Sequence, residues 1–172
     1  MSSITPTTMS LVNSHMFDMV DLRKCLQNPR QYCSGSLMDI INRHPDFTKF
    51  SYIIKTAHLD SVLNDIQANF TIFVPSDKEI SSIEEGLFTN LDISNARQIV
   101  LTNMLKYRIP SELLTDSPST YFTTMNPIEK LFVTNINNIT YLNNCTKVIY
   151  TDIEATNGLI HVVDNLIWPY FI

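Results

Sequence analysis

The order of patterns along the chain predicts an α+β fold with a mostly antiparallel sheet. Three observations carry this. Helix-period apolar spacing runs from Ser36 to about Tyr107. One nearly continuous apolar run, Phe70-Thr71-Ile72-Phe73-Val74, interrupts it. From Tyr121 onward the apolar period changes to two, as in strands with one buried face.

The elements follow in order. Ser36 with Asp39 three residues on resembles a capping box, and Leu37, Ile40 and Ile41 then make a short apolar face. Pro45 interrupts it. Over Asp46–Thr56, Phe47, Phe50, Ile54 and Ala57 recur at helical spacing. Asp60–Ile66 reads as a short helix presenting Val62, Leu63 and Ile66. The run at 70–74 is rich in β-formers and reads as a strand buried on both faces, ended by Pro75. Ser76 to Glu79 repeats the capping spacing, so a helix should open there, with Asp77 near the positive end of its dipole. Ser94 reads as the cap of a further helix whose one side gathers Ala96, Ile99, Val100, Met104 and Tyr107. Pro110 should stop that helix. Leu131–Ile136 and Ile139–Leu142 flank Asn137-Asn138, a pair that tolerates positive φ and suits a tight hairpin. Lys147–Ile153 makes another strand. Asn157-Gly158 is the strongest turn signal, and Leu159–Ile167 reads as the last strand, closed by Pro169.

Residues 1–35 read as an appendage to a domain at 36–172. Met16–Leu26 suits one short helix with an incomplete stripe of Phe17, Val20 and Leu26, and Pro29 and Gly35 then break the chain. Two readings stand side by side: a flexible arm, and an arm that docks on a neighbour and orders there.

Of 172 residues, 44% are apolar and 17% charged, enough for a core and too little charge for a disordered chain. The net charge is −5, so no basic face is available to displace counterions, and nucleic acid is disfavoured as a partner. Three cysteines (Cys25, Cys33, Cys145) do not close a disulfide framework and read as free thiols, although Cys25 and Cys33 could pair. No basic start followed by an apolar run marks an export leader, and no stretch is long and apolar enough for a transmembrane segment. The expectation from these is an intracellular or virion location. Sequons at Asn69, Asn138 and Asn144 matter only in a secretory lumen.

Chemistry is hard to find. The sequence has no G-x-S-x-G elbow, Walker loop, H-E-x-x-H or C-x-x-C. It is read as no enzyme, with no catalytic residue, cofactor or metal. His161 could act as a base with Cys145 or Asp164, but its apolar strand favours a hydrogen bond to a core carbonyl. Asp152 and Glu154 share a strand face and read as a solvated edge. Tyr107 fits either of two roles, a ring in the core or an interface anchor, while Arg108 beside it reads as pointing outward.

Phe70 to Asp77 resembles the first signature box of fasciclin-like domains, and Asn157 to Asp164, running on to Trp168-Pro169, resembles the second. Leu105-Lys106-Tyr107-Arg108-Ile109-Pro110 is similar to the family's central segment, with Arg108 where the family has histidine. The resemblance spans about residues 37–170. It implies a β-wedge of about seven mostly antiparallel strands with helices packed over it. It implies partner contacts through Tyr107, Arg108, Ile109 and Pro110, and structural roles for Phe73, Pro75, Asp77, Asn157, Gly158, His161 and Asp164. It further implies adhesion through a protein partner, a cell-surface or matrix protein, in an extracellular setting. The competing reading is a structural component of a larger assembly such as a virion, with an assembly scaffold as partner, tied in by the arm or by Tyr170-Phe171-Ile172.

Overall fold

The computed structural model describes residues 34–81 and 86–170. The expectations for a helix at 16–26, for a Cys25–Cys33 pair and for the last two residues lie outside the described residues.

The chain enters α1 (Leu37–Arg43) through a reciprocal cap. The Asp39 amide donates to Ser36 Oγ and the Ser36 amide to Asp39 Oδ2, each at 3.0 Å. Helix α2 (Thr48–Thr56) begins after Phe47, which offers no capping side chain. The acceptor comes from elsewhere in the chain. Asp77 opens α4 (Asp77–Ser81), yet its carboxylate reaches across to the first turn of α2. It accepts the Lys49 amide at 2.8 Å and the Thr48 hydroxyl. Phe47, Phe50, Ile54 and Ala57 are all fully buried.

Three expectations in this half are corrected. Helix α3 (Asp60–Leu63) stops at Leu63, so Ile66 falls in the turn beyond and is 75% exposed. After α5 (Gly86–Thr89), the cap of α6 (Ile93–Thr102) is Asp92, whose carboxylate accepts the Asn95 amide at 2.7 Å, and Ser94 lies inside the helix. The helix also ends earlier than Pro110. Asn103 turns its amide back onto the Ile99 carbonyl at 2.8 Å and holds Ile167 through both backbone groups, at 2.8 and 3.1 Å. The chain therefore leaves the helix at Thr102, well before Tyr107. Met104 enters strand β2 (Met104–Leu105) and Tyr107 is not on the helix at all.

The sheet has seven strands in the order β2-β1-β7-β6-β5-β4-β3. They are β1 (Phe70–Pro75), β3 (Ser119–Thr123), β4 (Lys130–Ile136), β5 (Ile139–Leu142), β6 (Thr146–Ala155) and β7 (Gly158–Val163), besides β2. A short helix before β3, α7 (Ser111–Thr115), follows Pro110, which stands at its N-cap. Every neighbouring pair is antiparallel except β1 with β7, which run parallel with Phe70 opposite Gly158. That parallel pair, covered on both faces, explains why Phe70–Pro75 lacks polar alternation. Ile72, Val74, Ile160 and Val162 pack under the helices, while Phe73 and Val163 face a second apolar layer with Leu105, Leu131, Val133, Leu142 and Ile167.

The Asn137-Asn138 turn adopts φ of 52° and 63°, as a two-residue hairpin requires. The β6–β7 turn differs from expectation. Ala155 pairs with Gly158, so its two loop residues are Thr156 and Asn157, and neither is among the positive-φ residues. Asn157 is instead a fully buried bracket, and Gly158 is there for space. The last strand ends at Val163, short of Ile167. Asp164 bonds Lys147 through its amide (3.0 Å) and its carboxylate (2.7 Å), and the chain then turns toward Asn103. No described helix is long and apolar enough to cross a membrane.

Candidate functional site

Between β2 and α7 the chain, residues 106–110, crosses over side chains of β1, β7 and β6. Each contact with the sheet fixes a different backbone group. Thr71, the lone polar residue inside the buried strand β1, donates its hydroxyl to the Tyr107 carbonyl at 2.7 Å and accepts the Ile109 amide at 2.8 Å. His161 on β7 lies 2.8 Å through Nε2 from the Ile109 carbonyl. Its Nδ1 accepts the Asp152 amide at 3.2 Å. That pattern requires a neutral imidazole with its proton on Nε2. Asp152 in turn accepts the Ser111 amide at 2.9 Å and the Ser111 hydroxyl. Its backbone sits at φ 62° in the irregular middle of β6, which turns the carboxylate toward the segment. The expectation of a solvated Asp152 edge is thereby corrected.

Arg108 does not point away from the protein. Its guanidinium lies back over the sheet, donating to the Gly158 carbonyl at 3.1 Å and meeting Glu154 at 3.3 Å. Ile109 packs against the second apolar layer, and Pro110 is half-buried. Tyr107 is left with its side chain 69% exposed. Of the two roles open to it in the sequence, the ring is not in the core.

His161 has both nitrogens engaged, by Ile109 and Asp152, and the carboxylate of Asp164 is held by Lys147. Cys145 is a free, exposed thiol in the β5–β6 turn. Phe73 and His161 pack ring against ring, with centroids 5.6 Å apart. Pro75 ends β1 opposite Val163. Among the described residues no three His, Cys, Asp or Glu side chains gather in a way that could hold a metal. The arrangement can hold a rigid loop and display one aromatic ring.

Burial pushes His161 below the ordinary histidine range; the Ile109 carbonyl and the Asp152 charge oppose this only partly. For Asp152, burial pushes the carboxyl up, but the Ser111 bonds and His161 outweigh it and hold it below the usual value. The two act in different pH windows. Because folded His161 resists protonation, the unfolded chain takes up the proton first, and stability is expected to fall as pH drops below about 6.5. The Asp152 contribution persists until pH falls below about 3.8. His161→Gln, which keeps an N–H for the Ile109 carbonyl, should flatten the first decline in urea-unfolding free energy measured across that range. An equally steep decline in the variant would exclude His161 as its source.

Three of the residues that hold this segment, Thr71, Ser111 and Asp152, are not assigned that role by the sequence. Thr71 was visible as a hydroxyl in an otherwise apolar strand. Ser111 and Asp152 carried no local signal, since forty-one residues separate them.

The sequence profile of the Fasciclin domain family matches residues 45–169. Transforming growth factor-beta-induced protein ig-h3 of Sus scrofa is 27% identical over 137 residues, covering 78% of this chain but 19% of that protein. The chain thus spans about a fifth of the length of this relative and of its Oryctolagus cuniculus counterpart. A protein of Invertebrate iridescent virus 3 named for a FAS1 domain is 25% identical and matches 98% of this chain and 99% of its own length. Among solved structures, a FAS1 domain pair from the insect cell adhesion molecule Fasciclin I superposes with a TM-score of 0.68 at 21% identity, covering 78% of this chain and 51% of that one.

Proposed function

The chain belongs to the Fasciclin domain family, and on that premise we propose that it is a non-enzymatic adhesion module that grips a protein partner through residues 107–110. Fasciclin domains are in general adhesion and protein-interaction modules. The observation that carries the reading is the exposed Tyr107 ring on a backbone pinned by Thr71 and His161. A fixed aromatic loses little freedom on binding, and exposed tyrosines beside arginines are favoured anchors at interfaces.

Tyr107→Ala tests this. The ring is mostly in water, so unfolding free energy should move by less than ~0.5 kcal/mol. Cell attachment to surfaces coated with the protein should fall about tenfold or more, the effect of losing an anchor worth ~1.4 kcal/mol or more. Attachment equal to that of the parent protein would remove the segment from the contact.

A second reading, a structural component of a larger assembly, draws support from the full-length likeness to the viral protein. Cross-linking mass spectrometry on the protein in its native source separates the two. Links to shell or scaffold proteins favour assembly, and links at Tyr107 to a cell-surface or matrix protein favour adhesion.

A further inference from the structure

The outer face of the β3–β6 region is apolar, aromatic and uncovered among the described residues. Strand alternation puts Phe122, Leu131, Val133, Leu142 and Val148 inward, in the second apolar layer. The opposite positions form cross-strand pairs. Tyr121 packs against Phe132 at a tilt with centroids 4.6 Å apart, Ile136 faces Ile139, and between them Ser119 faces Thr134 and Tyr141 faces Lys147, whose ammonium sits 5.9 Å from the ring. Tyr121 is 65%, Ile136 55% and Ile149 48% exposed. Such a largely apolar face is expected to be covered in the working protein.

Its charge narrows the occupant. The outward positions of β3, β4, β5 and the first half of β6 carry Lys130 and Lys147 and no carboxylate, in a chain whose net charge is −5. Two copies stacked on this face would set lysine against lysine. A complementary segment must be apolar and acidic, and the chain has one. Met16-Phe17-Asp18-Met19-Val20-Asp21-Leu22 has five apolar residues, two aspartates and no basic residue.

The point where the chain enters the described structure puts this segment within reach. Gly35 accepts the Thr156 amide at 2.9 Å, beside the end of β6. From there, six residues back along β6 to Ile149 and three strand spacings across to β3 come to ~25 Å. The twelve steps from Leu22 to Ser34 can span up to ~40 Å.

We propose that residues 16–22 cover the outer face of β3–β6 within the same chain, through apolar contact with Tyr121, Phe132, Ile136 and Ile149 and charge attraction to Lys130 and Lys147. The proposal is independent of the partner assigned to Tyr107.

The test uses the full chain with p-benzoylphenylalanine at position 121 and, in a second protein, at position 149. Both sites are exposed, so the fold should persist, as circular dichroism can check. Irradiation at low protein concentration should give a monomer-sized product whose cross-linked peptide contains residues 16–22. Asp18→Lys with Asp21→Lys should cut the yield at least fivefold at low salt. A dimer-sized product, cross-links elsewhere, no cross-link at either position, or a yield indifferent to the charge reversal would each overturn the proposal.

Discussion

Gly158→Val is expected to destabilise the domain by ~4 kcal/mol or more, enough to leave it largely unfolded. A Cβ at this position would lie 2.1 Å from the Phe70 carbonyl oxygen and 2.9 Å from Leu37 Cδ1. The oxygen belongs to backbone, and that backbone is fixed. Phe70 starts β1, pairs with Gly158 across the parallel ladder and donates its amide to the Asn157 carbonyl at 3.1 Å. Relief requires β1 to move away from β7, opening both apolar layers. Since the first side-chain carbon alone makes the clash, Gly158→Ala should lose most of what valine loses. If unusual backbone conformation were the whole cause, alanine would cost only ~1–2 kcal/mol. Urea unfolding of the two variants separates these explanations. A Gly158→Ala protein as stable as the parent would show that β1 can give way.

Asn157→Ala should follow with a loss of ~3 kcal/mol, through hydrogen bonding. Its carboxamide is fully buried and uses both ends. Oδ1 accepts the Leu37 amide at 2.8 Å, in the first turn of α1; Nδ2 donates to the carbonyls of Leu63 and Asp65 at 2.8 and 2.9 Å, where α3 exits. One side chain thus ties a hairpin to two helices over a hundred residues away in the case of α1. Alanine leaves the Leu37 amide and the Leu63 carbonyl without this buried partner and takes a donor from the Asp65 carbonyl, which keeps the Ala68 amide at 3.2 Å; each buried group so orphaned is costly. Asn157→Asp is the discriminating control. It keeps the acceptor for Leu37 but sets negative oxygen against two carbonyls, so it should be no better than alanine at neutral pH. An aspartate variant close to the parent would mean that water reaches the site.

Much of the fold was legible because local patterns and burial agree. The switch from helical to alternating period found the helices and the β4, β5 and β6 strands. The apolar run at 70–74 announced a strand covered on both faces. What misled was chemistry that acts over distance. Asn103 ends a helix whose apolar spacing seemed to continue to Tyr107, because its amide has a partner at Ile167. Asp77 has the spacing of a local cap, and its carboxylate serves another helix. Asn157-Gly158 carries the letters of a left-handed turn, yet the asparagine bonds distant backbone and the glycine makes room for a neighbouring strand. In the candidate site, the segment at 107–110 was recognisable by resemblance. Its clamp was not, since Thr71, Ser111, Asp152 and His161 meet only after the sheet has formed.

The parallel pairing of β1 with β7 also governs when the domain can take shape. Residue 70 cannot find residue 158 until all the residues between them have been synthesised. Until then β1, an apolar strand, waits on the nascent chain with the edge that pairs with β7 bare. Closing so long a loop slows folding, and an uncovered apolar strand is where misassociation starts. The domain should therefore be a slow folder whose yield on refolding falls with protein concentration, and a chain cut short before Gly158 should aggregate rather than fold in part.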